Sequence, residues 1–192
     1  MPRRTNTREC FVKTTAELLR QRGYYATGIN QILAASGAPK GSLYFHFPGG
    51  KEQLVAEAVT VAGQQMSVAI NAILADADDV RTGCARLMAA FEQILVGSDF
   101  REGCPVATIA LDVAADSEPI GSACSDAYGG WLEVIEKTLR RWGVPGDQVG
   151  RLAVFVLSST EGALLLARVR RDTAVLDEVG QYLTDTIESA IH

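Results

Sequence analysis

Apolar residues along this chain recur at helical spacing, and strand-like alternation is nearly absent. Phe11, Thr15, Leu18 and Leu19 fall at i, i+4, i+7 and i+8, one face of a helix that Gly23 closes. Thr27 is placed to cap a second helix with inner residues Ile29, Ile32 and Leu33, stopped by Ser36-Gly37. A short third helix runs from Pro39 to Phe47, with Leu43 and Phe47 one turn apart. Pro48-Gly49-Gly50 then breaks the chain before a long helix starting near Lys51. Asp78 or Asp79 opens the next, which reaches Val96 and closes at Gly97. Pro105 and Pro119 stand where a first helical turn tolerates proline, and the stretch Ile120–Trp142 ends at Gly143. Asp147 is expected to cap Gln148–Arg170, and Asp172 or Thr173 a last helix to about Ile191. The expectation is an all-α protein of nine helices, with no internal repeat and no low-complexity tract.

Composition narrows this picture. With 192 residues, 47% hydrophobic and 21% charged, the chain fits one domain or a small pair and excludes global disorder. The start Met1-Pro2-Arg3-Arg4-Thr5-Asn6 is basic without a following apolar stretch, so no secretory signal is expected. The longest uncharged run, Ala58 to Ala75, contains Gln64, Gln65 and Asn71 and reads as too polar for a membrane span. Cys10, Cys84, Cys104 and Cys124 are widely spaced, with no C-x-x-C pair, and His46 and His192 are the two histidines. That pattern fits neither a metal site nor a disulfide scaffold, and no cofactor is indicated. The expected setting is a reducing one, the cytoplasm.

Charge is split between the two ends. Residues 1–47 hold seven basic residues (Arg3, Arg4, Arg8, Lys13, Arg20, Arg22, Lys40) against Glu9 and Glu17, a net +5. The remainder holds eleven basic against twenty-one acidic residues, a net −10. A basic head on an acidic body suggests a polyanionic partner for the head alone.

The basic segment also carries the most specific pattern. Two short helices joined by a few residues containing a glycine form a helix-turn-helix, whose second helix lies in the major groove. The turn is read as Ser36-Gly37-Ala38. With Leu43 and Phe47 inward, the opposite face presents Gly41, Ser42 and Phe45, flanked by Tyr44 and His46. Gly41 lets the backbone approach, Ser42 can bond a base edge, and Phe45 can touch a thymine methyl. Lys40, Tyr44, His46 and Lys51 are placed for phosphates, and the open amides after Thr27, at Gly28 and beyond, offer a further phosphate site. The bland reading makes Tyr44, Phe45 and Phe47 core aromatics and the lysines merely solvated. Aromatics that cannot all face inward, on a short polar-fronted helix, favour the groove.

These residues resemble the TetR (tetracycline-repressor) family of bacterial transcriptional regulators. The resemblance rests on R-E-x-F-x-x-x-x-x-x-L-L-x-x-x-G-Y (Arg8–Tyr24), Ala26-Thr27, S-G-x-x-K-G-S-L-Y-F-H-F (Ser36–Phe47) and K-E-x-L (Lys51–Leu54). It implies a three-helix DNA-binding domain over residues 4–60 and a helical effector-binding and dimerisation domain over 61–192. It also implies DNA contacts from Thr27, Lys40, Ser42, Tyr44, Phe45, His46 and Lys51. Two departures stand out: Pro39 at the start of the recognition helix, and a spacer Pro48-Gly49-Gly50 one residue longer than the commonest form. Gly103-Cys104-Pro105-Val106 resembles a branch that includes regulators of drug-resistance and flavonoid-responsive genes.

In the acidic body, the helix from Gln148 has a nearly complete apolar perimeter and must be covered on more than one side. One cover is its own domain; the other, as the family implies, is the same helix of a second subunit, joined by the last helix with Val175, Leu176, Val179, Leu183 and Ile187. Ser158, Ser159, Gly162 and Ala163 allow close approach there. Such a homodimer would read a palindromic operator in double-stranded DNA and release it on binding a small apolar effector. Candidate pocket residues are Met66, Met88, Phe91, Phe100, Ile109, Trp131 and Phe155, any of which can equally be ordinary core. Glu161 sits in the most apolar helix and can bond across a dimer, orient a ligand or reach solvent. A rival reading is a redox-sensing repressor using Cys104, before Pro105, and Cys124, near a helix start. An enzyme is disfavoured: the body has no interior histidine, no G-x-S-x-G, no H-E-x-x-H and no phosphate-binding glycine loop.

Overall fold

The computed structural model describes residues 7–191, so Arg3, Arg4, the expected domain start at residue 4 and His192 lie outside the described residues. Within that range there are nine α-helices and no strand. They are α1 (Thr7–Arg22), α2 (Ile29–Ser36), α3 (Lys40–His46), α4 (Gly50–Ala75), α5 (Val80–Gly97), α6 (Ala107–Val113), α7 (Glu118–Arg141), α8 (Gly146–Arg170) and α9 (Ala174–Ile191). The expected number and order hold, because the punctuation is local: Gly23 and Gly37 take left-handed backbone with φ of 74° and 66° at two helix ends. Asp79 caps α5 by accepting a hydrogen bond from the Thr82 amide at 2.7 Å.

Two expected caps are corrected. Thr27 does not cap α2; its side chain is fully buried and its hydroxyl donates to the Gly23 carbonyl at 2.7 Å. Gly28 is the N-cap, and its amide donates to Gln31 Oε1 at 2.7 Å. Asp147 lies inside the first turn of α8, behind an N-cap at Pro145, because proline needs no amide partner there. Pro39 likewise stands outside α3 as its N-cap.

The chain divides into two compact units. The first comprises the chain up to Gln64 together with Pro105–Ala127. Its core gathers Phe11, Leu19, Ile32, Leu43, Phe47, Leu54 and Val55, all essentially without solvent contact, where α1 packs on α2 and α3. Phe11 and Phe47 meet edge to face with centroids 6.1 Å apart. Helix α6 joins this unit through Asp112, whose Oδ2 accepts the Tyr24 amide at 2.9 Å. At the start of α7, Ser117 donates to Glu52.

The second unit comprises Gln65–Cys104 and the chain from Tyr128 onward, with α9 packed on α5 and α8. Leu95, Trp131, Leu139, Val149, Leu164, Leu176 and Leu183 are buried in it. Arg141 donates to the carbonyls of Leu74 and Ala77, tying the end of α7 to the end of α4. By length and composition alone, α4 and α8 are apolar enough to cross a membrane, with windows of mean hydropathy 1.3 and 1.6. The reading of Ala58–Ala75 as too polar is thus corrected on composition: three amides do not outweigh the Ala, Val and Ile around them.

Candidate DNA-reading helix and ligand cavity

Helix α3 is held from one side only. Leu43 and Phe47 are fully buried, as the spacing predicts, which turns the intervening side chains outward. Lys40 and Gly41 are exposed, Tyr44 is 45% exposed and Phe45 80% exposed, with Ser42 and His46 half-buried beside them. Tyr44 and Phe45 thus present two neighbouring aromatic side chains to solvent from one short helix. Phe45 lies against His46, ring centroids 5.1 Å apart.

The turn into α3 uses Gly37 in left-handed backbone, its amide bonded to the Leu33 carbonyl at 3.0 Å. The long spacer after α3 is taken up by Gly50, also left-handed with φ 66°, whose amide donates to the Phe47 carbonyl at 2.9 Å.

Lys51 is engaged within the unit. Its Nζ donates to the Tyr24 carbonyl at 2.8 Å and lies 3.7 Å from the centre of the Tyr24 ring. Burial lowers its pKa, and burial with the nearby Glu52 carboxylate raises that of Tyr24. Thr27 is absent from the outward face, and the Gly28 amide is occupied by Gln31. Of nine expected contacts, Lys40, Gly41, Ser42, Tyr44, Phe45 and His46 therefore share one accessible helix, whereas Thr27, Gly28 and Lys51 make internal bonds. Residue-type reasoning missed two long-range ties within the first unit, the Arg8–Glu57 ion pair and the Asp112–Tyr24 bond, which join residues 49 and 88 positions apart. No window of sequence reports such pairings.

The second unit holds a small, mostly apolar cavity with room for about one water, partly open to solvent. Its walls are Met66 and Ile70 of α4, Leu87 and Phe91 of α5, Cys104, Trp131 and Ile135 of α7, and Val156, Leu157, Thr160, Glu161 and Leu164 of α8. Four expected pocket residues, Met66, Phe91, Trp131 and Glu161, meet here. The others do not. Met88 lines a neighbouring cavity with Cys84, Leu139 and Trp142. Ile109 is buried in the first unit. Phe100 lies beneath the Arg171 guanidinium on a left-handed turn, φ 58°. Phe155, 45% exposed, falls on the outward face of α8, one residue off the buried series Val149, Ala153, Val156, Thr160 and Ala163.

Glu161 contributes a carboxyl group to this apolar wall. Burial raises its pKa, and a hydrogen bond from the Cys104 thiol opposes that rise. Thr160 beside it donates to the Val156 carbonyl at 2.8 Å. Cys124 lies near the start of α7 as expected, in its second turn, but it is buried, and burial raises its pKa away from thiolate formation. No cluster of metal-ligating side chains occurs among the described residues.

Residues 11–58 match the family described as bacterial regulatory proteins of the tetR family, and residues 80–182 match the C-terminal domain of LmrA/YxaF-like transcriptional regulators. The chain is 36% identical over 185 residues to an uncharacterized HTH-type transcriptional regulator of Mycobacterium tuberculosis, covering 94% of this chain and 93% of the relative. It is 35% identical over 187 residues to the HTH-type transcriptional regulator LmrA of Bacillus subtilis, covering 95% and 97%. The crystal structure of a TetR transcriptional regulator from Legionella pneumophila superimposes with a TM-score of 0.81 at 22% identity, covering 97% and 99%.

Proposed function

The chain belongs to the TetR family of bacterial transcriptional regulators, and on that premise we propose that it is a homodimeric repressor released from a palindromic operator by a small apolar effector. The observation that carries this reading is the face of α3: Lys40, Gly41, Ser42, Tyr44 and Phe45 stand out from a helix pinned by Leu43 and Phe47. Ser42 and Phe45 read base edges, while Lys40, Tyr44 and His46 hold phosphates. Two such helices related by a dyad fall about 34–36 Å apart, one turn of duplex.

The dyad is formed by the outward side of α8 with α9 beside it; Val175, Leu176, Leu183 and Ile187, expected at that contact, are instead buried within the unit. Val154, Phe155, Leu165, Leu166 and Val169 are exposed apolar residues of α8, and Ser158 and Gly162 between them are exposed as well. They recur at three- and four-residue steps, one stripe on a helix whose other side is core. A second copy covers that stripe, rather than lipid, and the protein works in the cytoplasm with its DNA. The effector occupies the cavity beside Trp131 and Glu161, and favours one of two head spacings over the other. We assign no catalytic residues.

Selection of bound duplexes from a random pool tests the proposal. Enrichment of an inverted repeat with half-sites about 10 base pairs apart is expected, with enrichment lost when an effector is added. A pool that remains random at low salt overturns it.

A further inference from the structure

We propose that the ligand of the second-unit cavity is a lipophilic organic cation, an ammonium group on an aromatic frame, held with its charge against Glu161. This rests on reading that cavity as the effector site.

The walls set three requirements. First, Phe91, Trp131, Ile70, Leu87, Ile135, Val156 and their neighbours present hydrocarbon and ring faces, so the body of the ligand is apolar. Second, Glu161 is the one acidic side chain of the wall, and the wall contains no Lys, Arg or His. A carboxylate in such surroundings lacks the positive partner that normally offsets its loss of hydration. A ligand bringing its own positive charge supplies that partner, whereas an organic anion is repelled. Third, Trp131 and Phe91 offer π faces, which attract ammonium groups and add to the carboxylate's pull.

The polar atoms nearest the carboxyl do not compete for this role. The Thr160 hydroxyl is committed to the Val156 carbonyl. The Cys104 thiol donates to Glu161, a weak bond from an uncharged donor that a cation readily outbids.

The cavity is also shaped to open. The space between its side chains holds only about one water, so a ligand must displace part of a wall. Two parts yield most easily: Met66, a flexible and half-buried thioether, and the non-helical segment ending at Cys104, whose preceding residues Asp99 and Phe100 sit at φ of 53° and 58°.

The test uses the full-length protein without DNA and two isosteric probes, 4-biphenylmethyl-trimethylammonium and its neutral carbon analogue 4-neopentylbiphenyl, with 4-phenylphenol as a neutral hydrogen-bond donor. Binding is measured by calorimetry and by Trp fluorescence. In the native protein the ammonium should bind at least tenfold tighter than its carbon analogue. Glu161→Gln, close to isosteric, should weaken the ammonium at least fivefold and leave the neutral probe within twofold; an unchanged far-UV spectrum and a cooperative melting transition certify its fold. Equal affinity for the isosteres, insensitivity to Glu161→Gln, tighter binding of the phenol, or no ammonium binding each overturns the proposal. Operator binding by the same samples is scored separately. A protein that binds the cation through Glu161 but no DNA refutes the repressor reading and leaves the site standing, and the reverse result refutes the site alone.

Discussion

At the scale of single residues, buried hydroxyls show how closely the helices account for their polar groups. Thr138, Thr160 and Thr184 each return a hydrogen bond to the carbonyl four residues earlier, at 2.8–2.9 Å. Thr15 is equally buried, but its Oγ1 has no hydrogen-bond partner. An unmet buried hydroxyl costs roughly 1–3 kcal/mol relative to an apolar isostere. Thr15→Val should therefore raise stability by about 1 kcal/mol, read as a higher urea midpoint with an unchanged slope; a lower midpoint contradicts it. Glu161 supplies a second residue-scale expectation. Burial raises its folded-state pKa, so the folded protein takes up this proton more readily than the unfolded chain. Its contribution to stability is full below the ordinary glutamate range and is lost as pH rises through the raised value. The difference in urea midpoint between Glu161→Gln and the native protein should grow across that window in favour of the variant. Parallel curves would refute it.

At the scale of elements, α3 divides its labour by face. Leu43 and Phe47 anchor it in the first unit, and the outward side chains are free to act without disturbing that anchor. Lys40→Ala and Tyr44→Ala should weaken binding to every duplex and, for the lysine, reduce the salt dependence by about one charge. Ser42→Ala and Phe45→Ala should instead relax base preference, each by about 1–3 kcal/mol at one position of the site. Fluorescence anisotropy on operator and scrambled duplexes separates the two patterns; identical losses on both duplexes from all four variants contradict the assignment. The inward and outward sides of α3 were legible from spacing alone, since Leu43 and Phe47 are one turn apart and the rest follows from 100° per residue. Thr27 was not legible in the same way. A threonine before a helix suggests a cap, and only the packed α1–α2 corner makes the Gly23 carbonyl its nearer acceptor.

At the scale of the whole molecule, the outward stripe of α8 is the feature a solitary chain leaves unexplained. Leu165 is 57% and Val169 73% exposed, and neither can be buried by its own unit while Ala163, Leu164 and Ala167 fill the inner face. Leu165→Asp with Val169→Asp should leave helix content unchanged, convert the dimer to monomer in sedimentation equilibrium, and cut operator affinity at least a hundredfold. A native chain that sediments as a monomer at micromolar concentration would remove the stripe's assigned role.

Helical class, the order of nine elements and the outward face of α3 were all present in local periodicity and punctuation, because each depends on residues within a few turns of one another. The site residues divided otherwise. Met66, Phe91, Trp131 and Glu161 meet around one cavity, while Met88, Phe100, Ile109 and Phe155, equally large and apolar in the sequence, are carried elsewhere by the azimuth of each helix and by which unit it joins. Asp112 reaching Tyr24 across 88 positions, and Cys104 reaching Glu161, are settled the same way. Hydrophobicity tells a side chain to leave water but not which neighbours to join; that choice is made by packing between distant helices.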